Sequence, residues 1–147
     1  MAELLDVPPR WVTLRAQTPE GNPVVMLIDE AVALTAPYVG FGLLVGVGVQ
    51  LHEPDPQGQP TQGEKPVLRG FEQGLVDSMG GAARLVASVT VGGVREYLVY
   101  ARDTDWMEPW RETVPEPMTS HSFGVQVAED EGWHGLRELC GLEPPPA

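Results

Sequence analysis

Glu96 is the residue whose surroundings most invite chemistry. Val94, Glu96, Leu98 and Tyr100 alternate with Arg95, Tyr97, Val99 and Ala101. That is the period of a strand, and it puts one carboxylate on a face with apolar neighbours. A carboxylate partly withdrawn from water needs a partner. Arg84 or Arg95 can supply one, and a structural ion pair is a simpler role for Glu96 than catalysis. Asp103, Asp105 and Glu108 cluster with Glu112 and Glu116. They stand at and just before a helix start, where the dipole favours anions, so capping accounts for them without acid-base chemistry. His52, His121 and His134 lack HxH or HExxH spacing, and the single Cys140 excludes CxxC. A retained metal site needs three or four converging ligands. Ser78 and Ser88 lie outside GxSxG. The run Gly40 to Gly48 reads GxGxxxGxG, and a dinucleotide loop instead places its glycines at a strand-helix junction. No catalytic residue, metal site or cofactor is assigned from these patterns.

What remains are residues suited to contact. Val39, Phe41, Leu43, Val45, Val47, Val49 and Leu51 alternate with Tyr38, Gly40, Gly42, Leu44, Gly46, Gly48 and Gln50. The pattern predicts one long strand with an apolar face and a nearly bare reverse. Glycine weakens a strand, so these glycines need a reason. Tight twist, close approach of another backbone, or a shallow ligand groove can each supply it. Trp11 shares a face with Thr13 and Arg15, and Tyr97 with Arg95; either aromatic can anchor a partner. The candidate contacting residues are therefore Trp11, Gly46, Gly48, Arg95, Glu96, Tyr97 and His121.

These positions have to be held by a scaffold that the same periodicities outline. Strands are expected at Trp11 to Ala16 and Val24 to Ile28, joined as a hairpin by Thr18 to Pro23. Asp29 to Pro37 reads as a linker with at most one helical turn. Val67, Leu68, Phe71, Leu75 and Met79 recur at helical spacing and Gly80-Gly81 stops that helix. Ala83, Leu85, Ala87, Val89 and Val91 alternate in the next strand, and Gly92-Gly93 turns it into the strand of Glu96. A short helix near Asp105 carries Trp106 and Trp110 on one face and ends before Pro115. His121, Phe123, Val125 and Val127 form the last strand, and Trp133, Leu136, Leu139 and Cys140 open a terminal helix. From Tyr38 the order is β-α-β-β-α-β. The expected fold is thus α+β: a ferredoxin-like antiparallel sheet widened by the N-terminal hairpin. It would occupy residues 10–142 as one domain, with 143–147 as a disordered tail.

Composition limits the partners. The 147 residues carry a net charge of -12, with nine Lys and Arg against 21 Asp and Glu. Nucleic acids and anionic membranes are recognised through clustered cations, so neither suits this chain. A basic protein partner would be steered toward it. A sheet edge left unpaired also allows a homodimer. Met1 to Arg10 shows no apolar leader, which makes the cytoplasm the default.

Gly92-Gly93-Val94-Arg95-Glu96-Tyr97-Leu98-Val99-Tyr100, then Asp103-Thr104-Asp105-Trp106, resembles a bacterial domain-of-unknown-function family, number 695. Glu129-Asp130-Glu131-Gly132-Trp133 fits the same family's acidic turn followed by Trp, and Pro23 to Asp29 fits its early strand. The resemblance spans about residues 10 to 142. It implies no settled activity and no catalytic residues. A more distant similarity is to ribonuclease E regulator B-like proteins, small acidic ferredoxin-like domains, and it implies a role in binding and restraining another protein. The glycine-rich strand and the proline-broken second helix depart from that pattern. The sequence thus leaves two functions open: a non-enzymatic protein-binding or regulatory domain, or a small-molecule binding or hydrolytic domain with a pocket on the glycine-lined strand near Glu96 and His121.

Overall fold

The computed structural model describes residues 4–114 and 123–141. A 3-10 turn at Leu4–Asp6 leads into β1 (Trp11–Gln17), β2 (Pro23–Asp29), α1 (Glu30–Thr35), β3 (Leu43–Gln50) and α2 (Lys65–Met79). Then come β4 (Ala83–Val91), β5 (Val94–Ala101), α3 (Met107–Thr113), β6 (Phe123–Glu129) and α4 (His134–Leu139). The six strands form one sheet in the order β1-β2-β4-β5-β3-β6, with every neighbouring pair antiparallel. From β3 onward this is the ferredoxin-like β-α-β-β-α-β arrangement, and the β1-β2 hairpin extends it beyond β4.

Local chemistry explains the main turns. Gly21 adopts φ 88°, and the Asn22 N–H donates to Thr18 Oγ1 at 3.1 Å, closing the first hairpin. Gly92 and Gly93 take φ 59° and 81°, the left-handed pair that a two-residue hairpin requires. Gly80 at φ 53° ends α2. The proline-rich loop after β3 is pinned by Glu64, whose carboxylate accepts the N–H groups of His52 at 2.5 Å and Glu53 at 3.2 Å.

The sheet separates two cores. On the first face α2 lays Leu68, Phe71, Leu75 and Met79 over Val45, Val47, Val49, Leu85, Tyr97 and Val99, and α3 adds Trp106 and Trp110. Phe71 stands 5.7 Å from Trp110, ring centre to ring centre, at an angle of 65°. The described residues cover the second face only in part. There the N-terminal turn, α1 and α4 bury Leu4, Val32, Ala33, Trp133 and Leu136 against Ile28, Val86, Ala87, Leu98 and Tyr100.

Three sequence expectations need correction. β3 begins at Leu43, not Tyr38. Gly40 at φ 90° takes the chain out of extended geometry, so Val39 is fully exposed (100%) and Phe41 is buried in the second core instead of the first. In β4 the register slips between Leu85 and Ala87. This bulge puts Val86 and Ala87 both toward the second core while Ala83 and Leu85 face the first, and it reverses the alternation beyond it. Residues 30–35 form a helix of six residues where a linker was expected. His121, Glu116 and the tail 143–147 lie outside the described residues.

Candidate functional site

The uncovered part of the second face is a groove with a bare floor. Antiparallel pairing sets two cross-strand rows side by side. Gln126, Gly46, Leu98 and Ala87 form one. Gly124, Gly48, Glu96 and Val89 form the other. Side chains on these strands alternate, so both rows project from the same face. Above them lie two adjoining hollows. One, of about 430 Å³, is lined by Leu44, Gly46, Val89, Val91, Val94, Glu96, Leu98, Gln126, Ala128, Gly135 and Leu139. The other, of about 450 Å³, is lined by Gly46, Gly48, Gln50, Val94, Glu96, Gly124, Val125 and Gln126. They share Gly46, Val94, Glu96 and Gln126. Among the described residues Glu96 is the only ionisable side chain in either lining, and it is exposed.

The floor glycines are not there for the backbone. Gly46, Gly48 and Gly124 have no positive φ. A Cβ at Gly48 or Gly124 would meet nothing within 4 Å, and one at Gly46 would meet only Glu96 Oε1 at 3.7 Å. Gly135, in the end wall, is the contrast: its Cβ would lie 2.9 Å from Leu44 Cδ2 and 3.4 Å from the Tyr100 hydroxyl. Close packing of α4 on the sheet favours glycine there, since Leu44 would have to shift to admit a Cβ. Of the three sequence explanations for the strand glycines, close approach of another backbone is therefore not observed at Gly46 or Gly48.

The end wall is held by a polar latch. The Tyr100 hydroxyl donates to Asp130 Oδ2 at 2.7 Å and accepts the Leu136 N–H at 3.2 Å. Asp130 also accepts the N–H groups of His134 at 2.9 Å and Gly135 at 2.9 Å, capping α4. Burial alone would raise the Asp130 pKa; the hydrogen bonds from Gly135, Tyr100 and His134, with the His134 charge, outweigh it and hold the carboxyl below its ordinary value. Burial, with the bond to Asp130, pushes the Tyr100 hydroxyl well above the ordinary tyrosine value. Trp133 stacks on Tyr100 with ring centres 3.9 Å apart and planes within 7°. Its indole N–H donates to the Phe41 carbonyl at 2.9 Å. Trp133 holds φ 56°, a left-handed geometry that costs roughly 1–2 kcal/mol in a residue bearing a side chain. Stacking and full burial of the indole offset that strain. The acidic turn and Trp noted in the sequence thus serve to seat α4, whose Gly135 and Leu139 close the groove. Cys140 packs against the same core, and burial and then Glu30 push its thiol up, which suits a filler.

The predicted contact residues divide. Gly46, Gly48 and Glu96 meet in the groove. Glu96 is exposed, and among the described residues no ion pair includes it. The Arg84 guanidinium instead donates to Asp29 Oδ2 at 2.7 Å, and Arg95 Nε donates to Thr90 Oγ1 at 2.8 Å, from the opposite face of β5. Tyr97 is a correction: it is completely buried (0%) against Phe71 and presents no surface. Among the described residues its hydroxyl has no hydrogen-bond partner, and burial, opposed by nearby Arg95, pushes its pKa up to about 12. Trp11 is 43% exposed, but on the first face, away from the groove. His121 lies outside the described residues. Sequence reasoning missed Gly124, Gln126 and Leu139. The alternation of Gly124 and Gln126 in the last strand was visible, but that Gly124 lies opposite Gly48 depends on strand order.

No helix among the described residues is long and apolar enough to cross a membrane. Among the described residues no three His, Cys, Asp or Glu side chains gather as metal ligands. No curated protein matches the chain. No solved structure matches it either. A family model described as "Family of unknown function (DUF695)" matches residues 10–139, and the chain belongs to that family.

Proposed function

We propose that this chain is a non-enzymatic binding domain that seats a basic, apolar segment of a partner protein on its glycine floor. One observation carries the reading: Gly46, Gly48 and Gly124 keep the floor bare although neither backbone geometry nor packing requires it. Each glycine costs about 0.5–1 kcal/mol in a strand interior, so the open space itself is what the sequence maintains at a cost in stability. The lining sets the chemistry of the occupant. Leu44, Val89, Val91, Val94, Leu98 and Leu139 ask for apolar side chains, and Glu96 asks for a lysine or arginine. The net charge of -12 steers such a segment in. Among the described residues two adjoining hollows share one floor, an extent that suits a protein segment over a small metabolite.

Hydrolysis is the poorer fit. Among the described residues Glu96 has no hydroxyl, thiol or imidazole neighbour in either lining, whereas nucleophilic or acid-base mechanisms need at least two cooperating groups.

Selection of displayed peptides on the wild-type chain, with counter-selection on a Gly48→Val, Gly124→Val double variant, tests this. The reading expects groove-dependent binders with Lys or Arg among apolar residues. Binders indifferent to the two valines, or uniformly acidic ones, would overturn it.

A further inference from the structure

On the opposite face, between the outer edge of the sheet and α2, lies a second and unrelated recess. We propose that Trp11 and Glu72 form a recognition pocket for a single lysine or arginine side chain of a partner protein. Trp11, Leu27, Glu72, Leu85 and Ser88 line a hollow of about 170 Å³, and Trp11, Glu72 and Leu85 also border the adjoining recess of about 410 Å³. The pocket has the parts that such a side chain needs. Leu27 and Leu85 give an apolar wall for its methylene stem. The Trp11 ring is the only exposed tryptophan ring among the four, since Trp106, Trp110 and Trp133 are buried; an indole face attracts a cation more strongly than any other side-chain ring. Glu72 supplies the counter-charge.

The charges around the pocket leave Glu72 available. Asp29 and Arg84, at the far side of the wider recess, are paired with each other, and Asp29 also accepts the Arg10 N–H at 3.0 Å. Arg95 is near enough to favour the ionised form of Glu72, but its Nε is bonded to Thr90, and no ion pair joins Arg95 to Glu72 among the described residues. Burial dominates at Glu72 and raises its pKa. A carboxylate withdrawn from water beside an exposed aromatic gains most from an incoming cation. The inference does not depend on the glycine floor: Trp11 and Glu72 lie on the opposite face and line neither of its hollows.

The Trp11 indole N–H is a built-in reporter. In 15N-labelled protein, titration with N-acetyl-lysine methylamide and with N-acetylarginine methylamide should shift its resonance saturably, leaving the indoles of Trp106, Trp110 and Trp133 in place. N-acetylnorleucine methylamide, the uncharged comparator, should not shift it. Glu72→Gln should weaken the lysine probe at least about fivefold, and Trp11→Leu, followed at the Leu27 amide, should do the same. Gly48→Val should leave this titration unchanged, whatever it does to binding on the other face. Equal shifts from the norleucine probe, or unchanged affinity in Glu72→Gln with a native spectrum, would overturn the proposal.

Discussion

Filling the groove should stabilise the protein while disabling it. Gly48 lies mid-strand in β3, opposite Gly124 on one side and Glu96 on the other. Its φ is not in the left-handed region, and a Cβ there meets nothing within 4 Å. Gly48→Val therefore adds a β-branched side chain whose Cβ enters open space. Removing glycine's excess chain entropy is worth about 0.5–1 kcal/mol, and strand preference adds a few tenths more. A gain of about 1 kcal/mol corresponds to a rise of roughly 2–4 °C in Tm for a chain of this size. Thermal unfolding followed by circular dichroism reads the stability, and fluorescence anisotropy with a selected basic peptide reads the binding. The expected pair of results is a higher Tm with affinity reduced at least about tenfold, the valine displacing ligand atoms from the floor. Gly70→Ala and Gly74→Ala are the control. Those glycines lie in α2 with equally open space, so each alanine should add about 1 kcal/mol without changing affinity. A fall in stability at Gly48→Val would show that the bare floor serves the fold, and the functional argument would be lost.

Other consequences follow from the buried polar groups. Tyr97→Phe removes a hydroxyl without a described partner and should leave stability unchanged or raise it by up to about 1 kcal/mol in urea unfolding. Because burial lifts the Tyr97 pKa from 10.0 to about 12, its neutral form favours the folded state; that contribution is complete below pH 10 and lost as pH rises through about 12, a loss that Tyr97→Phe should abolish. Asp130 has the opposite sign. Its folded pKa lies below the ordinary 3.8, so its stabilisation is present above that value and lost as pH falls through the lower folded pKa; unfolding free energy measured from pH 5 to pH 2 should lose this component in Asp130→Asn. Asp29 is fully buried and paired with Arg84 at 2.7 Å, and Asp29→Ala should cost about 3–5 kcal/mol by leaving that guanidinium unpaired, measured as a lower denaturation midpoint.

The periodicities carried most of the fold because hydrophobic alternation and helical spacing report burial directly. The valines at 45, 47 and 49, the stripe from Leu68 to Met79 and the turn at Gly92-Gly93 all reappear in the structure. Where alternation misled, a local backbone event had interrupted it. Gly40 turns the chain before β3, where it reads as one more glycine of the alternating strand, and the bulge at Val86, which leaves no mark in residue types, exchanges the faces of β4. The site was half legible. Gly46, Gly48 and Glu96 could be named because two periodic strands exposed them. Gly124 could not be joined to them, because its place opposite Gly48 follows from β6 pairing with β3 across 75 residues of intervening chain. Tyr97 failed for a related reason: whether its face of β5 was covered depended on where α2 lay. Glu72 was hidden beside the apolar stripe of α2, and only the position of the N-terminal hairpin gives it Trp11 as a neighbour.

The central claim is that the glycine floor is a seat for a basic, apolar segment. The direct measurement is amide chemical-shift mapping of the 15N-labelled chain with a selected peptide, completed by a structure of the complex. The account predicts the largest shifts at Gly46, Gly48, Glu96, Gly124 and Gln126, with a peptide lysine or arginine against the Glu96 carboxylate. A peptide bound elsewhere, with those five amides unmoved, would contradict it.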